Sequence, residues 1–254
     1  MTGARVVVTG AASGIGLAIA ERFVAAGARV HICDVAADML HATLEQHPGV
    51  HGTLADVGEP SDVERLFAEA FQRMGGVDVL VNNCGIAGPR AAIDEVSIED
   101  WDRTIRVNLS GMFYCIRCAV PEMKRQRQGV ILTISTTSAR TGAVNRAPYV
   151  AAKVGVLGLT LNAARELGPW NIRCNAILPG VVDNERGRRV VGRIADERGV
   201  PTEQVWDEFL QFVSMRSAIQ PSEVADLAVF LASDAASHIS GQTIGVCGNV
   251  EWEA

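Results

Sequence analysis

Short runs of β-branched and apolar residues alternate along the chain with longer stretches in which apolar positions recur every three or four residues. The short runs are typical of buried parallel strands, and the longer stretches are typical of amphipathic helices. We therefore predict seven strands, over residues 5–9, 29–33, 50–55, 77–81, 130–134, 172–178 and 242–246. Because no linker or compositional break interrupts this alternation, the pattern predicts one α/β domain over residues 1–254. Its fold is a doubly wound, seven-stranded parallel sheet with helices on both faces.

For two of the helical stretches the pattern predicts specific bounds. One helix covers residues 60–74 with Ser61 as its N-cap, and a long helix covers residues 98–127 despite Pro121. The middle of the long helix carries Asn108 among apolar neighbours. A buried amide of this kind must be hydrogen-bonded, so we expect Asn108 to have a specific partner.

Composition and charge limit the location and the partners of the protein. The chain is 48% hydrophobic and 20% charged with a net charge of −6, and it lacks the basic stripe that nucleic-acid binding requires. Charges interrupt every apolar run well before the roughly 18 residues of a membrane span. The first residues lead directly into the first strand, which leaves no room for a signal peptide.

Six cysteines lie scattered in apolar segments. We therefore interpret Cys115 and Cys118 as packing residues, predict no metal site, and expect a cytoplasmic protein without nucleic-acid or membrane partners.

A glycine-rich turn follows the first strand at once and precedes a helical pattern. It contains Gly10, Ser13, Gly14, Ile15 and Gly16. A strand, a glycine turn and a helix N-terminus together form a pyrophosphate site of the Rossmann type, because the backbone can approach closely and its N–H groups point at the anion. On its own, such a turn could equally be a simple tight turn.

The second predicted strand leads directly to Asp34. A carboxylate at this place can accept hydrogen bonds from both hydroxyls of an adenine ribose, and it repels the 2′-phosphate of NADP. No Arg or Lys stands at Ser13 or at residues 35–37 to bind that phosphate. We therefore predict NAD, rather than NADP, as the cofactor.

Polar residues also follow the other predicted strands, where open α/β sheets bind ligands. These are Asp56 with Val57 after the third strand, residues 82–85 after the fourth, residues 135–138 after the fifth, and Pro179 with Gly180 after the sixth. Amides at a strand end can cross-link neighbouring strands or contact a cofactor, although they could also form a plain polar turn. The hydroxyl cluster at 135–138 stands in the position expected for substrate contact.

The chain has only two tyrosines and two lysines, and one of each stands in the spacing Tyr149-x-x-x-Lys153. This spacing places both side chains on one face of a helix. A nearby ammonium favours the phenolate form of a tyrosine, so the pair is a candidate acid/base. The alternative is an ordinary helix turn with a packed tyrosine and a lysine that extends to solvent.

Six motifs in this order resemble those of the short-chain dehydrogenase/reductase family over nearly the whole chain. The likeness rests on the glycine turn at 10–16, Asp34, Asp56 with Val57, Asn83-Cys84-Gly85, Asn108 with Tyr149 and Lys153, and Pro179 with Gly180. The resemblance implies catalytic roles for Asn108, Thr136, Tyr149 and Lys153, and cofactor contacts that extend to Val182 and Asn184. This sequence departs from the family pattern at four places. Cys84 replaces the usual alanine, Thr136 the usual serine and Asn184 the usual threonine. Near the C-terminus, Cys247-Gly248-Asn249 replaces a common Asp-Gly-Gly.

The resemblance also implies an activity. The protein would be an oxidoreductase that transfers a hydride between the nicotinamide cofactor and a secondary alcohol or ketone, a small-molecule partner. Tyr149 would exchange the proton, Lys153 would favour the phenolate and hold the nicotinamide ribose, Thr136 would bond the substrate oxygen and Asn108 would seat a water. A homotetramer is implied as well. Two alternatives stay open: an NADPH-dependent 3-oxoacyl-type ketoreductase, and a nucleotide-sensing protein that keeps the fold without chemistry.

Residues 181–220 form a longer connection than the strands require, so we predict a substrate-binding lid there. Thr202 can cap a helix whose apolar face includes Trp206 and Phe209. That face could close an apolar pocket, pack in the core or contact another subunit. A basic run could recognise a carboxylate or sulfonate of the substrate, or form an ordinary solvated face; it consists of Arg186, Arg188, Arg189 and Arg193. Ser138 is a further candidate for substrate contact.

Overall fold

The computed structural model describes residues 1–250, except for the side chain of Arg186. The strands are β1 Arg5–Thr9, β2 Arg29–Asp34, β3 Val50–Leu54, β4 Val79–Asn82, β5 Gly129–Ile134, β6 Ile172–Pro179 and β7 Thr243–Val246. They form one parallel sheet in the order β3-β2-β1-β4-β5-β6-β7, which confirms the predicted doubly wound α/β fold. The order reverses between β1 and β4, and such a switch point opens a crevice at the carboxyl ends of the strands.

Helices connect the strands and cover both faces of the sheet. They are α1 Gly14–Ala25, α2 Ala37–Gln46, α3 Pro60–Met74, α4 Ile98–Ile105, α5 Gly111–Gln126, α6 Ser138–Thr141, α7 Ala147–Leu167, α8 Glu185–Arg198, α9 Thr202–Gln211 and α10 Pro221–Ala232. Short 3₁₀ turns follow α7 and α10. Among the described residues, no helix combines the length and hydropathy that a membrane crossing needs.

The core has two layers, one on each face of the sheet. Val6 and Val8 of β1 pack with α1 and α10 on one face, whereas Val7 packs with α3 and α5 on the other. All three valines are fully buried. Because both faces are covered, the strands are apolar at consecutive positions, and this is the reason that short apolar runs predicted them.

The long helix predicted over 98–127 is observed, but it is not a uniform α-helix. A π turn over Arg106–Ser110 joins α4 to α5, and Pro121 lies inside α5. The π turn carries Asn108, which is fully buried. A π turn inside an α-helix is frequently found at a functional site.

Two predicted N-caps are wrong. The N-cap of α3 is Glu59 and its first residue is Pro60, so Ser61 lies inside the first turn. Proline is suited to the first helical position because it has no N–H to leave unbonded. Helix α9 begins at Thr202 itself, with Pro201 before it and no side-chain cap.

Candidate active site

A cavity of about 280 Å³ lies at the carboxyl edge of the sheet, between the ends of β4, β5 and β6 and the helices α7, α8 and α9. Many of the predicted site residues line it: Ile15, Asn83, Gly85, Thr136, Ser138, Tyr149, Lys153, Pro179, Gly180, Val182, Asn184, Trp206 and Phe209. The fold therefore brings together residues that are up to about 190 positions apart in the sequence.

The remaining predicted residues lie outside the lining of this cavity. They are Gly10, Ser13, Gly14, Gly16, Asp34, Asp56, Val57, Cys84 and Asn108. Most of them belong to the glycine turn or to the segments that follow β2 and β3. Asn108 and Val57 are both buried.

Lys153 is fixed at the floor of the cavity. Only 4% of it is exposed, and its Nζ atom donates a hydrogen bond of 2.8 Å to the carbonyl oxygen of Ile134 at the end of β5. The hydroxyl of Ser135 donates to the carbonyl oxygen of Lys153, also at 2.8 Å. Tyr149 stands one turn earlier on α7, is half-buried and faces the same cavity. The two residues thus share a helix face, as their spacing predicted.

The hydroxyls after β5 divide into two groups. Ser135 and Thr137 are buried, and although both contribute to the cavity lining, the hydroxyl of Ser135 already donates to the main chain of α7. Thr136 and Ser138 line the cavity, and the Oγ1 atom of Thr136 accepts a hydrogen bond of 3.3 Å from the Ser138 backbone. A threonine hydroxyl has both a donor and acceptor lone pairs, so Thr136 can still donate to a substrate oxygen.

Asn108 has the specific partner that its burial required. Its Oδ1 atom accepts from the backbone N–H of Ile86 at 2.7 Å, and its Nδ2 atom donates to the Ile86 carbonyl at 2.9 Å. A Cβ added at Gly85 would lie 3.1 Å from Asn108 Oδ1 and 3.4 Å from Lys153 Nζ. Asn108 and Lys153 therefore flank the same glycine, and any larger residue at 85 would press on both.

The glycine turn is tightly built and cross-linked to β4. Gly10 and Gly14 have φ values of 62° and 58°, which favour glycine. An added Cβ at Gly16 would overlap the carbonyl oxygen of Gly10. Asn83 donates from Nδ2 to the Gly10 carbonyl at 2.8 Å, and the Thr9 hydroxyl accepts from the backbone N–H of Cys84 at 3.1 Å. The predicted role of the amide as a strand cross-link is confirmed.

Two carboxylates occupy the ends of β2 and β3. The Oδ2 atom of Asp34 accepts from the Ala12 N–H and its Oδ1 atom from the Ala36 N–H, both at 3.1 Å. Asp34 is thus held at the rim of the glycine turn. Asp56 accepts from the Gly58 N–H at 2.8 Å. A turn with glycine at positions 10, 14 and 16, next to a fixed carboxylate, fits the pyrophosphate and ribose of a dinucleotide.

Residues after β6 close the opposite side of the crevice. A Cβ added at Gly180 would lie 2.8 Å from the Cα atom of Cys247, so glycine permits the close approach of these two segments. Asn184 caps α8, since its Oδ1 atom accepts from the Gly187 N–H at 2.8 Å. Its Nδ2 atom also lies 3.8 Å from the position of a Cβ added at Gly14. Asn184 therefore reaches the glycine turn from across the crevice.

Helices α8 and α9 cover the cavity with an apolar face. A cluster of Val191, Ile194, Ala195 and Val205 joins the two helices, and Trp206 and Phe209 pack against it and line the cavity. This arrangement favours the pocket-closing interpretation of this segment over one in which the two aromatic residues are only core.

The basic run at the start of α8 is engaged in ion pairs. Arg188 pairs with Asp183 at 2.7 Å and Arg189 with Glu185 at 3.4 Å. The hydrogen bond from Arg188 lowers the pKa of Asp183. Neither arginine lines the cavity, so neither supports recognition of a substrate anion there. The side chain of Arg186 lies outside the described residues, and its role stays a prediction.

Sequence reasoning missed Arg146, which lines the cavity beside Tyr149. Its guanidinium carbon lies 4.6 Å from the centroid of the Tyr149 ring, and its Nη2 atom donates to the Ala87 carbonyl at 2.9 Å. The available signal was an arginine two residues before Pro148, because proline is common in the first turn of a helix and the helix dipole there disfavours positive charge.

Comparison with known proteins gives the family. A family model described as enoyl-(acyl carrier protein) reductase matches residues 10–249. The chain is 40% identical over 245 residues to an uncharacterized oxidoreductase of Mycobacterium bovis, with 95% of this chain and 94% of that protein covered. It is 35% identical over 261 residues to D-beta-hydroxybutyrate dehydrogenase of Rhizobium meliloti, with 98% of each covered.

Solved structures agree with this likeness. An actinorhodin polyketide ketoreductase with NADPH matches with a TM-score of 0.93 and 35% identity, covering 98% of each chain. NAD⁺-bound xylitol dehydrogenase matches with a TM-score of 0.91 and 27% identity, covering 98% of this chain and 99% of that one. The two hold different nicotinamide cofactors. The chain therefore belongs to the short-chain dehydrogenase/reductase family, and it is an oxidoreductase that acts on CH–OH or keto groups with a nicotinamide cofactor.

Proposed function

We propose that this protein is an NAD-dependent dehydrogenase of secondary alcohols, and a reductase of the corresponding ketones, in which Tyr149 is the acid/base. One observation carries the proposal: the phenol of Tyr149, the buried ammonium of Lys153 and the hydroxyl of Thr136 share one cavity beside the glycine turn. A nucleotide-sensing protein without chemistry would not need these three groups in one place.

The residues of the chain have distinct roles in this proposal. In the oxidation direction the phenolate of Tyr149 takes the proton of the substrate hydroxyl, and Thr136 donates a hydrogen bond to the same substrate oxygen. Lys153 favours the phenolate by its charge, and Ile134 holds the ammonium in place. The bound nicotinamide cofactor supplies the hydride acceptor. In the reduction direction Tyr149 returns the proton to the oxygen of the product alcohol.

Asn108 is assigned the task of seating a water that links Lys153 to solvent. An amide offers two donors and two acceptor lone pairs, and the main chain of Ile86 takes one donor and one acceptor of Asn108. One donor and one acceptor position of the amide remain, and Asn108 and Lys153 flank the same Gly85. A water held there would let the ammonium exchange its proton with solvent.

The cofactor is assigned as NAD on the basis of Asp34. Its carboxylate is fixed at the rim of the glycine turn, and neither Ser13 nor residues 35–37 supply a cation for a 2′-phosphate. Gly10, Ser13, Gly14, Ile15 and Gly16 would hold the pyrophosphate, and Asp56, Val57, Cys84 and Val182 would complete the contacts. The NADPH-dependent ketoreductase remains the competing function, since the matched polyketide ketoreductase holds NADPH.

The substrate is proposed to bind between the hydroxyl wall and the apolar lid. Ser138 would contact its polar end, while Trp206 and Phe209 would cover its apolar part. The segment 181–220 would act as the lid of a single catalytic domain that spans residues 1–254. A hydroxy acid is one candidate substrate, because the Rhizobium meliloti relative is a D-beta-hydroxybutyrate dehydrogenase.

A homotetramer is the proposed assembly. Large apolar side chains are exposed on α5 and α7, including Phe113 at 47%, Val154 at 46% and Leu161 at 62%. Val154 and Leu161 lie seven residues apart and thus on one face of α7. Burying such a face against a second copy would remove it from water. The six cysteines are present as thiols rather than disulfides, which suits a reducing compartment, so a cytoplasmic location is proposed as well.

The function is tested by a panel of secondary alcohols, diols, sugar acids and hydroxy acids, read by the absorbance of NADH. We expect the protein to oxidise at least one of these substrate classes with NAD. Its kcat/KM with NADP should be at least about 10-fold lower than with NAD. Higher efficiency with NADP would support the ketoreductase instead. Absence of hydride transfer across the panel, with tight NAD binding, would support the nucleotide-sensing alternative.

A further inference from the structure

We infer that Arg146 is a positioning residue for Tyr149, an inference that rests on the acid/base role proposed for that tyrosine. Arg146 stands at the N-cap of α7, three residues before Tyr149. Its guanidinium carbon lies 4.6 Å from the centroid of the phenol ring. A planar guanidinium at this distance is attracted to the ring face and limits the orientations that the ring can adopt.

Arg146 is itself held by the loop after β4. Its Nη2 atom donates to the Ala87 carbonyl at 2.9 Å, and the neighbouring Asn145 carbonyl accepts from the Ala91 N–H at 3.2 Å. The same loop begins at Asn83, which is bonded to the glycine turn. Arg146 therefore connects the phenol ring to the segment that flanks the cofactor crevice.

Helix stability does not account for an arginine at this position. The side chain of Arg146 makes no capping hydrogen bond, and the first turn of α7 contains no acidic residue. A cation at a helix N-terminus opposes the helix dipole, so the position is unfavourable for α7 alone. Arg146 and Lys153 are the charged side chains of the described residues that line the cavity, and both belong to the start of α7.

The test compares Arg146→Met and Arg146→Lys with the unaltered protein on the best substrate of the panel. Arg146→Met should lower kcat by about 10- to 100-fold, because a small displacement of an acid/base group is enough for such a loss. KM for substrate, affinity for NAD and Tm should stay close to those of the unaltered protein. Arg146→Lys keeps a positive charge near the ring but cannot stack a planar guanidinium on it, so its kcat should lie between those of Arg146→Met and the unaltered protein.

Arg140→Met is the matched control. Arg140 is an exposed arginine that donates to the Thr243 carbonyl at 2.8 Å and does not line the cavity. Its removal should leave kcat unchanged. The inference is overturned if Arg146→Met keeps kcat within about twofold, or if kcat, NAD affinity and Tm all fall together as a general structural defect would make them. An unaltered protein that oxidises no substrate would instead contradict the proposed function.

Discussion

The ammonium of Lys153 donates to the carbonyl oxygen of Ile134 at 2.8 Å, while the hydroxyl of Ser135 donates to the carbonyl oxygen of Lys153. Two hydrogen bonds of opposite direction thus join the end of β5 to the first turns of α7. The end of β5 also leads to Thr136, so the ammonium, the phenol of Tyr149 and the Thr136 hydroxyl are placed by one junction. A change that displaces this junction should therefore displace all three groups together.

Removing the phenol oxygen should abolish most of the turnover and spare the cofactor. Tyr149→Phe keeps the ring and its contact with Arg146 but cannot exchange a proton, so kcat should fall by about 10²- to 10⁴-fold. NAD affinity, measured by calorimetry, should be preserved. Tyr114→Phe is the control, since Tyr114 lies on α5 and does not line the cavity. Near-normal turnover of Tyr149→Phe would refute the assigned acid/base.

Thr136 should be replaceable by serine but not by alanine. Thr136→Ser retains the hydroxyl, whereas Thr136→Ala removes the donor to the substrate oxygen and should lower kcat/KM by roughly 10- to 100-fold. Thr141→Ala removes a hydroxyl from an exposed position nearby and should change little. Equal activity of the alanine and serine variants at position 136 would assign the substrate contact to Ser138 instead.

Stability should fall between pH 6.5 and pH 4 because of His31. His31 is fully buried, and burial lowers its pKa from 6.5 to about 4, while its Nε2 atom lies 2.9 Å from the Thr53 hydroxyl. The unfolded chain therefore binds a proton in this window that the folded protein does not bind. The contribution of His31 to the free energy of unfolding is therefore complete above pH 6.5. It is lost as the pH falls from 6.5 to 4, by about 3 kcal/mol in total.

Urea unfolding at pH 7.5 and pH 4.5 measures this contribution. His31→Gln keeps a hydrogen-bonding side chain without a titrating ring, so the difference between the two pH values should shrink. His238→Gln changes an exposed histidine that is not among the groups acting on the pKa of His31, and it should leave the pH dependence as it was. An unchanged pH dependence in His31→Gln would show that other groups cause it.

Alanine should be tolerated very differently at two helical glycines. At Gly16 an added Cβ would overlap the Gly10 carbonyl oxygen and lie 2.8 Å from the Cα atom of Ala11, so Gly16→Ala should cost about 1–3 kcal/mol of unfolding free energy and weaken NAD binding. At Gly192, inside α8, nothing lies within 4 Å of the added atom. Gly192→Ala should stabilise the protein by about 0.5–1 kcal/mol. Equal effects at both positions would contradict the described packing of the glycine turn.

Local sequence patterns were sufficient to predict the succession of strands and helices along the chain, the parallel sheet and the glycine turn. Each of these follows from local signals: apolar runs buried on both faces, helical periodicity, and glycines placed between a strand and a helix. The sequence also placed Tyr149 and Lys153 on one helix face, because that relationship is a matter of helical spacing alone.

Tertiary structure decided which groups support the site. The bond between Asn108 and Ile86, the bond between Lys153 and Ile134, and the contact of Arg146 with Ala87 all join segments that no local pattern relates. The same holds for the basic run, where ion pairs with Asp183 and Glu185 engage Arg188 and Arg189. Hydrogen bonds and ion pairs of this kind depend on atomic distances between distant parts of the chain, and only the packing of helices against the sheet sets those distances.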